Sequence, residues 1–312
     1  MNQTPAINTS KPTSALAVFI IVAGIFAISS GAVLIRLALG EGMPSLLIAA
    51  GRVGIAALLL TPFVLRRYRS HLARLERQDL FLAGLSGTFL AIHFIAWVES
   101  LNYTSVLISV VFVSTAPLWV ALLEFLVLRT QLSRLIIAGI FLAIFGGVII
   151  GLGGAETESA TTNLWGAFLS LVGAMTVSVY LIIGRKLRAK MAIIPYIWLV
   201  YGCAGIILLV ILIISGTPVT GYSGNGYLFL LMMAIIPQLV GHSAINYVLG
   251  YFPATLVTLG AQLEPIGAAF LAYLVFQELP TPIQVLGSGV ILAGVVMAIL
   301  GQTQNQQKKQ AS

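Results

Sequence analysis

Gln238, His242 and Asn246 stand at i, i+4 and i+8 inside an otherwise apolar run. That spacing stacks three hydrogen-bonding groups on one helix face. Such a stripe reads either as the wall of a binding cavity or as interhelical glue. Pro237 precedes it, removes a backbone donor and predicts a kink. An earlier run carries His93 and Trp97 at i, i+4. A histidine exchanges protons near neutral pH, so His93 and His242 suit a proton relay or, as neutral groups, a cavity lining. Trp97 suits stacking on a flat ligand or a place in an aromatic belt. A later run carries Thr255, Thr258 and Gln262, then Glu264 and Pro265. In a continuous helix Glu264 points about 200° away from Gln262. Glu264 is therefore a proton-coupling candidate or a structural partner of another helix. Pro117 and Pro265 predict further kinks. Arg52 has a planar fork that fits a carboxylate ligand, and it is equally placed to pair with Glu99 or Glu41. Arg36 and Glu124, near run ends, are expected to snorkel.

Other chemistries have no residues to carry them. Asp79 is the only Asp, and no HExxH pair occurs, so clustered oxygen ligands for a metal enzyme are missing. Cys203 is the only cysteine and lies in an apolar run, as a small core filler does. No Walker-type glycine loop is present, which argues against direct ATP drive. No cofactor or metal is expected.

The elements that must position these groups follow from composition. Hydrophobic residues make up 59% of the 312 positions and charged residues 8%, against about 25% charged in soluble domains. Mean hydropathy is +1.04. These values exclude a soluble enzyme, a disordered chain and a collagen-like fibre, and leave a chain whose solvent is mostly lipid. Apolar runs fall at 15–37, 45–65, 79–99, 104–128, 134–152, 164–184, 193–214, 226–249, 254–276 and 282–301. At about 20 residues each they are membrane-spanning helices. Barrel strands would alternate over about ten. The first run exceeds a signal-peptide core of about 7–15 residues.

Charge orients the spans. With the N-terminus inside, 14 of the 16 Lys and Arg fall on inner segments. The exceptions are Arg36 and Arg52. The outer loop 153–163 carries Glu156 and Glu158 instead. This asymmetry puts both termini, 1–14 and 302–312, in the cytoplasm, with the chain in the cell's inner membrane. It also explains the net charge of +7 without a nucleic-acid partner, since the basic residues are not interleaved with aromatics on a soluble face.

The two halves, 15–152 and 164–301, match at an offset of 148–151. The ordered pairs include Ser29 with Ser178, Arg36 with Arg185, Pro44 with Pro195, His93 with His242, Pro117 with Pro265, Gly139 with Gly287 and Gly146 with Gly294. Five helices is an odd number, so the second half enters the membrane from the opposite face. His93 lies about 21 Å from the inner helix start and His242 about 24 Å from the outer one, at mirrored depths. Inverted repeats around a midplane site are an architecture of secondary transporters. Gly139, Ala143, Gly147 and Gly151 form one small-residue stripe, and Gly289 with Ala293 another, as close helix packing requires.

The segments AWVESLNYTSV and STAPLWVALLEFLVL, and the copy from Tyr251 through QELPTPIQVLGSGVILAG, resemble the EamA-like branch of the drug/metabolite transporter superfamily. Glu278 and Thr281 match its Glu-x-x-Thr pattern in the second half; Thr130 and Ser133 occupy those places in the first. The resemblance implies an all-α membrane protein with ten helices in two inverted five-helix repeats. It implies a non-enzymatic permease that exports amino acids or related amphipathic compounds by alternating access, with a proton as coupling ion. Its partners would be a small-molecule substrate and the lipid bilayer; a monomer is compatible with the sequence. A nucleotide-sugar or sugar-phosphate antiporter of the same fold is the alternative, and would need cations in its cavity. A membrane-embedded enzyme is the alternative of another class.

Overall fold

The computed structural model describes residues 14–128, 132–153, 160–188, 190–248 and 261–311, and the regular elements among them are all helical. In chain order they are α1 (Ser14–Gly40), α2 (Ser45–Arg67), α3 (Arg69–Leu72), α4 (Arg77–Ser100), α5 (Val106–Val113), α6 (Ala116–Leu128), α7 (Arg134–Gly153), α8 (Ala160–Arg188), α9 (Ile193–Ile214) and α10 (Gly224–Met233). A π-helical stretch, Ala234–His242, then leads into α11 (Ser243–Val248). Last come α12 (Glu264–Phe276) and α13 (Pro282–Ala311). Among the described residues, eight segments are long and apolar enough to cross a membrane; Arg134–Ile150 and Glu264–Phe276 are shorter apolar helices. The final helix runs on through the polar stretch after 301 to Ala311.

Local chemistry sets the breaks. In the fourth run Pro117 has no N–H to bond the Val113 carbonyl. The helix stops at Val113 and restarts at Ala116. Between them Thr115 folds its hydroxyl onto the Phe112 carbonyl at 2.7 Å. Pro265 does the same in the ninth run. A turn at Gln262–Leu263 precedes α12, which opens on Glu264 and Pro265. Glu264 is therefore a helix start, not the middle of a continuous helix, and the 200° separation from Gln262 does not apply. Pro237 sits within the π-helical stretch, where widened turns absorb the missing hydrogen bond. Other starts are capped: Ser105 accepts from Ile108 N at 3.2 Å, Ser223 from Gly226 N at 3.0 Å, and Glu76 with Asp79 forms a capping box.

The helices form two apolar cores. The larger joins α1, α2, α4, α5, α8, α9, α10, the π-helical stretch and α12; the smaller joins α5, α6, α7, α8 and α13. Outward faces carry large apolar side chains such as Phe26, Phe81, Phe141, Phe145 and Ile214, all well exposed. A chain with such a rim is solvated by lipid.

The small-residue contact between α7 and α13 begins on the expected Gly139 and Ala143 and then departs from the expected stripe. A Cβ on Gly139 would stand 2.4 Å from Gly294 O, and one on Gly294 2.5 Å from Gly139 O. A Cβ on Gly146 would stand 2.7 Å from Gly287 O. The backbones touch through Gly139, Gly146, Gly287 and Gly294. Gly147 instead faces Phe112 at ordinary contact distance, and nothing lies within 4 Å of a Cβ on Gly289. The surroundings of Gly151 lie outside what is described.

Candidate functional site

Arg52 is the centre of the site. It lies in α2, with 0% exposure. Its Nε donates to Gln238 Oε1 at 2.6 Å, and its Nη2 lies 3.2 Å from His242 Nε2. A guanidinium only donates, so His242 Nε2 accepts. The guanidinium carbon stands 4.5 Å from the Phe94 ring centroid and 5.3 Å from that of Trp97, as cation–π contacts do. Counting helical rise sets Arg52 and His242 about 13 Å apart in depth. The long arginine side chain and the widened π-helical turns bring them together. The expected pairing of Arg52 with Glu99 or Glu41 does not form: Glu99 accepts from Asn102, and Glu41 from Ser223.

His93 is held against the same group. Its Nδ1 lies 2.9 Å from the Gly173 carbonyl; a carbonyl only accepts, so Nδ1 carries a proton. Its ring stacks on Trp97 at 5.9 Å and 18°. Trp97 is 4% exposed, which places it in the core and not in an aromatic belt. Glu264 opens α12, and its backbone carbonyl accepts from Ser29 Oγ at 3.2 Å. Gln262 is half-buried in the turn before α12.

So the structure gathers Arg52, His93, Trp97, Gln238, His242 and Glu264 into one region. Asn246 is in α11, but its side chain, and all of Thr255 and Thr258, lie outside the described residues. Sequence reasoning missed Phe94, Tyr201 and Gly31. Tyr201 faces Gln238, and a Cβ on Gly31 would stand 3.8 Å from Arg52 Nη1. An apolar ring next to His93, a lone tyrosine in α9 and one glycine among many carry no spacing signal. Among the described residues, no group of three His, Cys, Asp or Glu is arranged to hold a metal ion. Asp79 is occupied as a helix cap and holds Lys190 Nζ at 3.2 Å. That hydrogen bond and charge keep the Lys190 ammonium above its ordinary range.

A second polar cluster closes one end of the bundle. Arg36 forms an ion pair with Glu278, and its Nη2 donates to Thr104 O at 3.3 Å. Glu278 Oε1 accepts from Val106 N at 2.9 Å. Arg36 does not snorkel free: it ties α1 to the end of α12 and to the start of α5.

The family model of the EamA-like transporter family matches residues 15–152 and 164–300. The chain belongs to this family. This EamA-like chain is a multi-pass membrane protein. It is similar to the uncharacterized transporter YdfC of Bacillus subtilis (strain 168), 24% identical over 188 residues and 60% of each chain. It is similar also to the uncharacterized inner membrane transporter YedA of Escherichia coli (strain K12), 26% identical over 263 residues and 84% of each chain. The chain thus spans 60% of the first relative's length and 84% of the second's. A solved crystal structure matches in fold alone, with a TM-score of 0.61 at 16% identity, over 94% of this chain and 99% of that one.

For the EamA-like transporter, the end cluster gives a stability prediction. Arg36→Gln and Glu278→Gln should each lower the thermal midpoint in detergent, and the double variant should be little worse than either. A coupling of about 1 kcal/mol is expected for side chains in direct contact. Fully additive losses would show that the pair does not act as a unit.

Proposed function

We propose that this protein is a secondary transporter of the cytoplasmic membrane. It moves a small amphipathic metabolite by alternating access around Arg52. The two halves, 15–152 and 164–301, are inverted five-helix repeats, with both tails in the cytoplasm. The observation that carries the reading is a guanidinium wholly buried at the junction of α2, α4 and the π-helical stretch. A charge in the membrane interior is costly and marks a ligand pathway by default.

Matched contacts support the repeat. Exchanging Gly139 for Gly287 and Gly294 for Gly146 turns the Gly139–Gly294 contact into the Gly287–Gly146 contact, and both are present. The bond from Ser29 to the Glu264 carbonyl has its counterpart in Ser178 Oγ, 2.9 Å from the Ala116 carbonyl. Each serine thus meets the residue before a matched proline, Pro265 or Pro117. In the proposed orientation, the Arg36–Glu278 pair closes the outer end. Family likeness favours export of amino acids or related compounds. Glu264 is the proposed proton-coupling residue, because it is a carboxyl group at the start of a helix inside the apolar bundle.

The test is efflux from vesicles loaded with a mixed metabolite pool, read by mass spectrometry with and without a pH gradient. Selective loss of one compound class is expected, faster with the gradient. In Glu264→Gln the gradient effect should vanish while exchange at equal pH persists. A gradient effect that survives intact would remove Glu264 from coupling.

A further inference from the structure

Arg52 is a buried cation with an open edge. Nε and Nη2 are engaged by Gln238 and His242, while Nη1 has no hydrogen-bond partner. Among the described residues no carboxylate oxygen forms an ion pair with it. Trp97 Nε1, on the ring that the guanidinium faces, is also buried and without a partner. Leaving such donors unmade is expensive, more so for a charged one. Two unfilled donors in one stacked group describe a seat for an anion.

We propose that the group recognised here is a carboxylate, received by Arg52 Nη1 with Trp97 Nε1 as second donor. The proposal rests on the reading of this region as the transport site. A cationic substrate does not fit, because the aromatic faces of Phe94 and Trp97 that would hold it already hold a guanidinium. A phosphate dianion calls for more than one cation. Among the described residues of the interior only Arg52 offers one, since Arg36 is paired with Glu278 at the bundle end. The Nε and Nη2 contacts with protein acceptors orient the guanidinium and leave Nη1 to the ligand.

Gly31 gives a probe that does not disturb the fold. A methyl group there would stand 3.5 Å from Pro237 Cβ, 3.6 Å from Trp97 Cη2 and 3.8 Å from Arg52 Nη1, all ordinary contacts. It would sit beside the open edge.

The experiment is efflux of an equimolar pool in which each carbon skeleton is present as carboxylate, amide, amine and phosphate ester, from vesicles of the full-length protein. Carboxylates should leave about tenfold faster than their amide and amine partners, as the loss of one charged hydrogen bond dictates. Gly31→Ala should slow the carboxylates in particular. Amides or amines leaving as fast as carboxylates would overturn the proposal and leave transport standing, and preferential loss of the phosphate esters would do the same. No protein-dependent loss of any class, from vesicles holding folded protein, would overturn the transport reading itself and the carboxylate seat with it.

Discussion

Arg52→Gln is expected to abolish efflux while leaving the protein as stable as before, or more so. The two effects have opposite signs because they have different causes. The guanidinium is wholly buried and no carboxylate of the described residues contacts it. Its burial costs desolvation that cation–π contacts with Phe94 and Trp97 offset only in part. A neutral amide removes that cost and keeps one donor for Gln238 or His242. Transport loses the charge that meets the substrate, worth about a hundredfold in rate. Arg52→Lys should recover part of the activity, since it restores the charge and not the planar fork. Thermal midpoints in detergent and efflux rates from vesicles check both. A midpoint that falls sharply with Arg52→Gln would mean that the arginine is a structural tie.

The second large effect is on assembly. Gly139→Ala places a methyl 2.4 Å from Gly294 O and 2.9 Å from Ala298 N. Both are backbone atoms of a facing helix and cannot rotate away, so α7 and α13 must separate along the contact. A loss of about 1–3 kcal/mol is expected, the range for an overpacked core. Gly294→Ala should do the same, because its methyl would meet Gly139 O at 2.5 Å. Gly289→Ala is the control: open space surrounds it, and alanine favours a helix over glycine by roughly 0.5–1 kcal/mol. It should be neutral or stabilising. Equal losses at Gly139 and Gly289 would show that helix propensity, not the close approach, controls the region.

Much of this was legible in the sequence because lipid leaves few solutions. Apolar runs of fixed length and a one-sided basic distribution gave the membrane class. The polar residues in those runs, His93, Trp97, Gln238, His242 and Glu264, were visible as expensive and hence purposeful. Depth counting could not show that Arg52 and His242 meet, since a π-helical stretch and a long side chain intervene. Nor could it separate Gly146 from Gly147. The stripe was counted in steps of four, but the helix period of about 3.6 residues carries the contact from Gly139 to Gly146 through seven. The pairing of Arg36 with Glu278 carries no spacing signal, because the two lie 242 positions apart. The offset did pair Ser29 with Ser178, yet only the structure shows each bound to the carbonyl before a matched proline.

Alternating access is tested most directly by tying the proposed outer end shut. Arg36→Cys and Glu278→Cys, in a Cys203→Ser background, place two thiols across the ion-paired end of α1 and α12. A short bis-methanethiosulfonate linker then joins them, and a thiol reductant releases them. Efflux from vesicles should stop on linking and return on reduction, while the unlinked double variant remains active. Linked protein that exports at the unlinked rate would contradict the account, because the path would then not pass through an opening between Arg36 and Glu278.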